Sequence, residues 1–385
     1  MEKSGKKNGI FVKGTYFDYP SLALIVFIFL FGLVMIYSAS AFWGLYLDDA
    51  QSSTVFVKKQ FLFGCVGLVV MYIVSRMRYQ WIRKWTYVIL ILTFLLLIAV
   101  FFMGSDSHGS QRWLNLGFIS FQPSEIAKLT LILYSAHIFT DKSGYLKSFA
   151  GTFVTALIPL IMVAIIAYEN LSTGLVCAVI VVAVWFVATP KPWYLIIVLV
   201  VGVLFIVIYV KLAAYRQVRF QVWADPWNQE VWDEGNQTRH SLYAIATSGL
   251  FGRGLGQGVQ KLGALPEPHN DMIFAVIAEE LGIVGVIAVV VVFLILLWRL
   301  RFIAEGAPDR YGALIMSGII AHIGFQLVMN MAVVSNTLPN TGVTLPFISY
   351  GGTSLSFLML EMGIALSISR QIVPKGARQE VDVSE

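Results

Sequence analysis

Charged residues and cysteines are both scarce in this 385-residue chain. Asp, Glu, Lys and Arg make up 13% of it and hydrophobic residues 58%, whereas charged residues make up roughly 25% of a typical soluble domain. The two cysteines, Cys65 and Cys177, both lie inside apolar runs. Neither a disulfide framework nor a cysteine metal site is therefore expected. The composition excludes an ordinary soluble domain.

The apolar residues are grouped in blocks of about 20, the length that a helix needs to cross a hydrocarbon core about 30 Å thick. The first block has no small-residue cleavage site behind it, so we expect a retained span rather than a signal peptide. The pattern predicts an all-α polytopic integral membrane protein with about ten transmembrane helices. They are expected at 20–44, 58–76, 86–104, 123–140, 149–168, 171–189, 192–213, 270–298, 312–335 and 346–369.

Lysine and arginine are distributed unevenly between the two faces of this arrangement. Seventeen of the 27 basic residues lie in the N-terminal arm, in alternate short loops and in the tail, all on one face. The positive-inside tendency places that face and both termini in the cytoplasm. We predict a cytoplasmic arm at 1–17, a membrane domain at 18–370 and a cytoplasmic tail at 371–385. One large outer loop, about 214–269, joins helices 7 and 8. The net charge of +5 then reflects topology, and no nucleic-acid partner is expected.

Most of the remaining basic residues fall in two outer segments, 112–128 and 211–261. An anionic partner, such as a phosphate group approached from outside, would explain them. Arg216 and Arg219 share a helical face and either bind such a phosphate or snorkel to the interface. The alternative for the loop is pairing with its own acidic residues, Asp225, Asp233 and Glu234.

Three carboxylates lie at or inside the eighth predicted helix: Asp271, Glu279 and Glu280. Each ionised group held in hydrocarbon costs at least about 2.5 kcal/mol, so such groups usually face a partner, a cavity or a substrate. Asp271 lies at the helix start, where a water-filled cavity can reach it, and is the candidate for chemistry. Glu279 and Glu280 lie deeper, and we expect structural roles for them.

A second polar cluster precedes the fourth predicted helix. Glu125 and Lys128 are three residues apart and share one side of that helix. They either pair with each other, or Lys128 reaches Asp271 on another helix. Trp113 is either an interfacial aromatic or, beside Arg112, an apolar face for a sugar.

Two further segments interrupt the apolar pattern. Residues 237–251 predict an interfacial helix, and the glycines of 252–258 predict a flexible turn, with a phosphate-cradling role left open. Near 338–355, Pro346 and the pair Gly351 and Gly352 predict a broken or re-entrant backbone enclosed by protein. On the residues alone, a transporter and a membrane enzyme both remain open.

Four segments, in this order, resemble the SEDS family of bacterial cell-wall proteins, the FtsW, RodA and SpoVE group. They are RWLNLG with FQPSEIAKL, YRQVR with ADPW, GLGQGVQK with LPEPHNDMIFAVIAEELG, and TLPFISYGG. The similarity spans about residues 17–370. The form GVTLPFISYGGTS looks more like the division and sporulation branch than the elongation branch. His240 stands where the family commonly has glutamine.

The resemblance implies a peptidoglycan glycosyltransferase. Such an enzyme polymerises lipid II, an undecaprenyl-pyrophosphate disaccharide peptide, into β-1,4 glycan strands with inversion. The family's catalytic aspartate falls on Asp271, where we assign the general base, and its functional tryptophan falls on Trp113. Its cavity glutamate and lysine fall on Glu125 and Lys128. The other candidate cavity residues are Arg112, Arg216, Arg219, Gln237, Ser241 and His269.

The same resemblance implies partners and a location. A class B penicillin-binding protein transpeptidase and divisome proteins are the expected partners, in the bacterial cytoplasmic membrane at the division septum. No covalently bound cofactor is expected, and a divalent cation is left open.

The competing interpretation is a lipid II flippase, whose charged cavity would carry the headgroup across the bilayer. It predicts polar residues that continue towards the cytoplasm. The sequence shows polar residues crowded on the outer side and almost no charge in the inner halves of the spans, which favours the enzyme. A pure scaffold for divisome partners would leave the burial of Asp271, Glu125 and Lys128 unexplained.

Overall fold

The computed structural model describes residues 10–11, 16–46, 52–103, 105–107, 110–115, 120–191, 193–194, 196, 200, 202 and 214–372. The helices are α1 (Tyr19–Tyr46), α2 (Val55–Arg76), α3 (Tyr79–Met103), α4 (Pro123–Asp141), α5 (Phe149–Glu169), α6 (Leu171–Ala188), α7 (Ala214–Ala224), α8 (Asn236–Ala246), α9 (Ile273–Glu305), α10 (Arg310–Val334) and α11 (Gly352–Ser369). Three short strands are β1 (Ser105–Ser107), β2 (Ser110–Asn115) and β3 (Ser120–Phe121), and two 3-10 turns are Tyr145–Lys147 and Gln229–Val231.

Eight helices in the described part of the chain are long and apolar enough to cross a membrane: α1, α2, α3, α5, α6, α9, α10 and α11. The α4 helix is less apolar because it faces protein rather than lipid, with 15 of its 19 residues buried. The predicted seventh span, 192–213, lies largely outside the described residues. The chain is a mostly helical, multi-pass membrane protein, as the sequence predicts.

Several helix starts differ from the predicted spans. The α3 helix begins at Tyr79 rather than at 86, and α9 begins at Ile273 rather than at 270. Asp271 therefore lies in the turn before α9. The last helix begins at Gly352 rather than at 346, because Pro346 and the left-handed backbone of Phe347, with φ +62°, do not continue a helix.

The α4 helix lies centrally, against α3, α6 and α10, while α11 packs along α2. Small residues allow α11 to lie close to α2. A Cβ on Gly363 of α11 would lie 3.0 Å from the Cα of Met71 in α2. Close backbone approach of this kind is how helices gain packing energy in lipid, where there is no hydrophobic drive between them.

The α9 helix is interrupted at Gly282, which has φ +70° and ψ −167°. The break frees backbone N–H groups that would otherwise be costly to bury in a membrane. The N–H groups of Ile283 and Val284 donate instead to the carbonyls of Gly249 and Leu250, at 3.2 and 3.1 Å. A loop segment thus completes the hydrogen bonding of a broken helix.

The other side of the break is completed in the same way. The N–H groups of Arg253 and Gly254 donate to the carbonyls of Glu279 and Glu280, at 2.9 and 3.0 Å. Gly252 lies so close that a Cβ on it would be 2.2 Å from the Glu280 carbonyl oxygen. The predicted flexible turn at 252–258 is therefore wrong, because these glycines permit tight docking rather than motion.

The strands form a small antiparallel sheet in the order β1-β2-β3 between α3 and α4. It is a local addition to the predicted all-helical class. Trp113 of β2 pairs with Ser105, and Leu114 pairs with Phe121 immediately before α4. The sheet thus places Trp113 near the start of the central helix.

Candidate active site

Asp271 is a partly buried carboxylate in the turn before α9. The Nε2 group of Gln237, on α8, donates to its Oδ1 at 3.2 Å. Its Oδ2 lies 3.8 Å from the position that a Cβ would take on Gly342, whose φ of +66° suits glycine. One carboxylate oxygen is therefore held by a donor, and the other faces the backbone before Pro346.

A chain of side chains leads away from Asp271 towards α7. The Nδ2 group of Asn340 donates to Oε1 of Gln237 at 2.6 Å. The Nη1 group of Arg219 donates to the carbonyl of Asn340 at 3.0 Å. Because Asn340 occupies the carbonyl oxygen of Gln237, the amide nitrogen of Gln237 is aimed at Asp271.

The pKa of Asp271 is raised to about 6, mainly by burial and to a lesser extent by the nearby charge of Glu267. Its own backbone hydrogen bond, the positive charge of Arg219 and the Gln237 hydrogen bond act in the opposite direction. An acid with such a pKa is mostly ionised at neutral pH and still accepts a proton readily, which suits a general base.

Asn330, in α10, ties the two segments around the carboxylate together. Its Nδ2 group donates to the carbonyl of Asp271 at 2.7 Å and to that of Val343 at 2.8 Å. The residue is fully buried. The sequence analysis missed Asn330, although an asparagine inside an apolar helix is itself a signal of an internal hydrogen bond.

Glu125 and Lys128 pair with each other. Lys128 Nζ lies 2.9 Å from Glu125 Oε1, and both residues are buried near the start of α4. Within the described ranges no hydrogen bond or ion pair joins Lys128 to Asp271, so that expected contact is not formed. The partner one turn away is the nearer one. Oε2 of Glu125 is buried without a hydrogen-bond partner among the described residues and leaves an acceptor for a ligand.

The remaining candidate residues are the tryptophan Trp113 and three arginines, Arg112, Arg216 and Arg219. Trp113 is half-buried in β2, whereas the side chains of Arg112 and Arg216 lie outside the described residues. Arg219 is half-buried on α7 and, through Asn340, belongs to the surroundings of Asp271.

His269 and Ser241 hold together elements that surround Asp271. The centroid of the buried His269 ring lies 4.2 Å from that of the Phe56 ring and 5.5 Å from that of the Tyr350 ring. The backbone N–H of Tyr350 donates to the His269 carbonyl at 2.9 Å. The hydroxyl of Ser241 donates to the carbonyl of Val334 at 2.6 Å. At 1% exposure, Ser241 holds α8 against α10, and its predicted contact with substrate is not supported by this geometry.

The two glutamates of α9 are fully engaged. Glu280 Oε1 lies 2.5 Å from Lys261 Nζ, and both Glu280 oxygens lie 2.7 Å from the hydroxyl of Ser38 on α1. Gly256 donates its N–H to Glu280 Oε2 at 2.9 Å. Glu279 accepts backbone N–H groups from the same loop. These contacts fit the structural roles expected from the sequence.

The expected break before the last helix is held by α2. Gln60, buried in α2, donates to the carbonyl of Ser349 at 3.2 Å and accepts from the N–H of Gly351 at 3.1 Å. Pro346 is buried, and Gly352 begins α11 against Phe63. The irregular backbone is enclosed by protein, as such segments in membrane proteins require.

A deeper polar pair was missed from the sequence. In the middle of the bundle, His322 Nδ1 of α10 lies 2.9 Å from Glu361 Oε2 of α11, and both residues are buried. Nδ1 of His322 and the carboxylate of Glu361 satisfy each other, whereas Nε2 of His322 is buried without a hydrogen-bond partner among the described residues.

No group of three or more His, Cys, Asp and Glu side chains in the described segments is arranged to hold a metal ion. Asp271 is one carboxylate, and Mg²⁺ is usually bound by one or two carboxylates together with substrate phosphates. The residues therefore fit a divalent cation only when a phosphate-bearing substrate shares it.

The fold and this site define a class: a multi-pass membrane protein with a half-buried, hydrogen-bonded carboxylate in the turn that begins one of its membrane helices. The family model for FtsW, RodA and SpoVE, described as a cell cycle protein, matches residues 20–373. The chain belongs to this family.

Individual relatives agree with the family. The chain is 38% identical to stage V sporulation protein E of Bacillus subtilis (strain 168), over 91% of this chain and 97% of the relative. It is 35% identical to a probable peptidoglycan glycosyltransferase FtsW of Geobacter sp. (strain M18), over 92% and 97%.

Two solved structures also match nearly the whole chain. A chain of a peptidoglycan synthase complex matches with a TM-score of 0.76 and 27% identity, over 92% of this chain and 98% of that one. The rod shape determining protein RodA of Thermus thermophilus matches with a TM-score of 0.67 and 25% identity, over 93% and 98%.

Proposed function

We propose that this protein is a peptidoglycan glycosyltransferase that polymerises lipid II into β-1,4 glycan strands during cell division or septum formation. The relatives named as probable peptidoglycan glycosyltransferases support the enzyme class. The observation that carries the mechanism is the geometry of Asp271, with Oδ1 held by Gln237 and with burial raising the pKa to about 6.

The reaction joins two sugars with inversion at the anomeric carbon. The 4-hydroxyl of a GlcNAc attacks C1 of a MurNAc, a new C1–O bond forms, and the C1–O bond to undecaprenyl pyrophosphate breaks. The pyrophosphate leaves with the bonding electron pair. By analogy with inverting glycosidases, one carboxylate accepts the hydroxyl proton. Asp271 is that base, and its Oδ2 is the accepting atom because Oδ1 already accepts from Gln237.

Charge develops on the departing pyrophosphate, and fixed cations stabilise it. Arg219 is near enough to act on Asp271 electrostatically, and we assign it to the pyrophosphate together with Arg216. When bound, a divalent cation would supply further neutralisation of the same phosphates.

The Glu125–Lys128 pair and Trp113 complete the proposed cavity. The buried Oε2 of Glu125, which has no hydrogen-bond partner among the described residues, accepts from a substrate hydroxyl or amide. Lys128, held by Glu125 at 2.9 Å, stabilises substrate oxygens and does not orient Asp271 directly. Trp113 presents an apolar face to a sugar ring.

The matched chain of a peptidoglycan synthase complex supports a penicillin-binding protein as partner. We propose a class B transpeptidase at the septum, with both termini of this chain in the cytoplasm and Asp271 on the outer side.

Polymer formation from purified lipid II in detergent tests the proposal, with wild type and Asp271→Asn each assayed with and without the partner and a divalent cation. Glycan from wild type alone supports enzyme and base together. Glycan from both variants removes Asp271 from the role of base. No glycan from either under any condition overturns the enzyme and favours the flippase, which a fluorescent lipid II translocation assay in liposomes then tests.

A further inference from the structure

We propose that His240 and Gln260 are positioning residues, which fix the rotation of α8 and thereby hold Gln237 against Asp271. The inference rests on the proposed function, since it concerns the geometry of the proposed base.

The first step is a side-chain contact between α8 and the loop that follows it. Nδ1 of His240 lies 2.7 Å from Oε1 of Gln260. With a carbonyl oxygen as acceptor, the imidazole carries its proton on Nδ1. The two side chains are both half-buried, and the contact joins residues 20 positions apart.

The second step is the anchoring of Gln260 itself. Its backbone N–H donates to Glu279 Oε2 at 3.3 Å, and the N–H of Val259 donates to Glu279 Oε1 at 2.9 Å. The carboxylate of Glu279 is fully buried in α9, with Arg253 Nε 3.7 Å from its Oε1. Gln260 is therefore fixed to the most deeply buried part of α9, not to a mobile loop.

The third step is the geometry of α8. His240 and Gln237 are three residues apart, so their side chains project from neighbouring positions on one side of the helix. Ser241 holds the helix to α10 through the Val334 carbonyl at 2.6 Å. Arg239 donates to the Pro226 carbonyl at 2.9 Å, and the His240–Gln260 contact adds a tie from α8 to the segment that is fixed on Glu279.

The consequence reaches the proposed base through a single hydrogen bond. Gln237 donates to Asp271 Oδ1 at 3.2 Å, a length at which a small rotation of α8 breaks the bond. Loss of the His240–Gln260 contact would therefore act on the reaction without removing any group that touches substrate.

The experiment measures lipid II polymerisation by the full-length protein carrying His240→Leu, His240→Gln or Gln260→Met, each in the wild-type and Gln237→Met backgrounds. In the wild-type background, His240→Leu and Gln260→Met should lower kcat roughly tenfold, the order expected for one lost hydrogen bond near a charged group. The KM for lipid II should change less than about twofold, since no substrate contact is lost. His240→Gln keeps a donor and should retain most activity. Thr247→Ala, at the exposed end of the same helix, is the matched control and should match wild type.

The decisive readout is the Gln237→Met background, because residues that act through Gln237 lose their effect once it is gone. There, His240→Leu should lower kcat less than about twofold further. Wild-type kcat in His240→Leu, or the same tenfold loss in both backgrounds, overturns the inference. Gln260→Met decides the question if His240→Leu does not yield a monodisperse protein. An inactive wild type overturns the proposed function instead, and the two failures are thereby distinguished.

Discussion

The amide nitrogen of Gln237 lies 3.2 Å from Oδ1 of Asp271, although the two residues are 34 positions apart in the sequence. The contact joins α8, in the long loop before α9, to the turn that begins α9. It places the Gln237 donor on Oδ1 rather than on Oδ2. The reactivity proposed for Asp271 therefore depends on how the loop that carries α8 folds.

Loss of the Gln237 donor should weaken the proposed base. In Gln237→Met the hydrogen bond that lowers the pKa of Asp271 is absent, so its pKa should rise. The acid limb of the pH–rate profile, near pH 6 in wild type, should move to higher pH and kcat at pH 7 should fall. Steady-state polymerisation between pH 5 and 8 measures both. An unchanged acid limb in Gln237→Met would show that Asp271 does not control it.

The raised pKa of Asp271 also predicts a pH-dependent stability difference. Burial raises the pKa from the ordinary 3.8 to about 6, so the folded protein binds this proton more tightly than the unfolded chain. Wild-type stability relative to Asp271→Asn should therefore fall as pH rises from about 4 to about 6 and stay constant above. Thermal unfolding in detergent across that range checks it. A stability difference between the two proteins that is the same at pH 4 and at pH 7 would contradict the prediction.

Asn330 should be important for stability because its one amide group serves two buried carbonyls, those of Asp271 and Val343. Asn330→Leu leaves both without this donor, at a cost of about 1–3 kcal/mol for each buried group left unpaired. Denaturant titration of the purified protein measures the loss. Ser317→Ala is the control on the same helix, since the Ser317 hydroxyl only adds a bond to carbonyls of its own helix. Equal stability of the two variants would refute the bridging role.

Sequence reasoning reached the helices and the acidic residue but not the contacts of Asp271. Uniform apolar runs such as α1 and α5 were predicted to within a few residues, because their length is set by the bilayer. Lys128 was expected either to pair with Glu125 or to reach Asp271, and it pairs with Glu125. Opposite charges at a similar depth in the membrane suggest that two groups can pair. Which partner each group takes depends on the packing angles between helices, which the sequence does not give.

The glycine-rich segment illustrates the same limit. Its glycines, including Gly252 and Gly256, suggested flexibility. Glycine readily adopts a positive φ, and that conformation occurs both in turns and in tightly docked segments. What decides between them is the break at Gly282, 30 positions later, whose unpaired backbone groups the segment completes. Local composition therefore predicted a turn but not its docking against α9.

Two alanine substitutions in that segment should separate close packing from backbone strain. Gly252→Ala places a Cβ 2.2 Å from the Glu280 carbonyl oxygen, whereas Gly256→Ala meets nothing within 4 Å. Both glycines have positive φ, +76° and +84°, so strain is common to both. Gly256→Ala should lose about 1 kcal/mol. Gly252→Ala should lose markedly more and expose the loop to limited proteolysis. Matching losses would show that the segment is not docked as described.

Removal of Lys261 should be among the most destabilising single changes in the protein. Its ammonium group pairs with Glu280 at 2.5 Å, with side-chain exposures of 5% and 0%. Lys261→Met leaves a buried carboxylate with only the Ser38 hydroxyl and the Gly256 N–H as donors. Breaking one side of such a pair costs about 3–5 kcal/mol.

The double variant Lys261→Met/Glu280→Gln tests whether that cost comes from the stranded charge rather than from lost packing. It removes the charge, so it should recover much of the stability, as measured by thermal unfolding in detergent. Arg301→Ala breaks the exposed Arg301–Glu305 pair and is the control, expected to leave the unfolding temperature unchanged because exposed pairs contribute little. If the double variant is no more stable than Lys261→Met, the contribution of Lys261 is packing, and its ion pair does not hold the loop to α9.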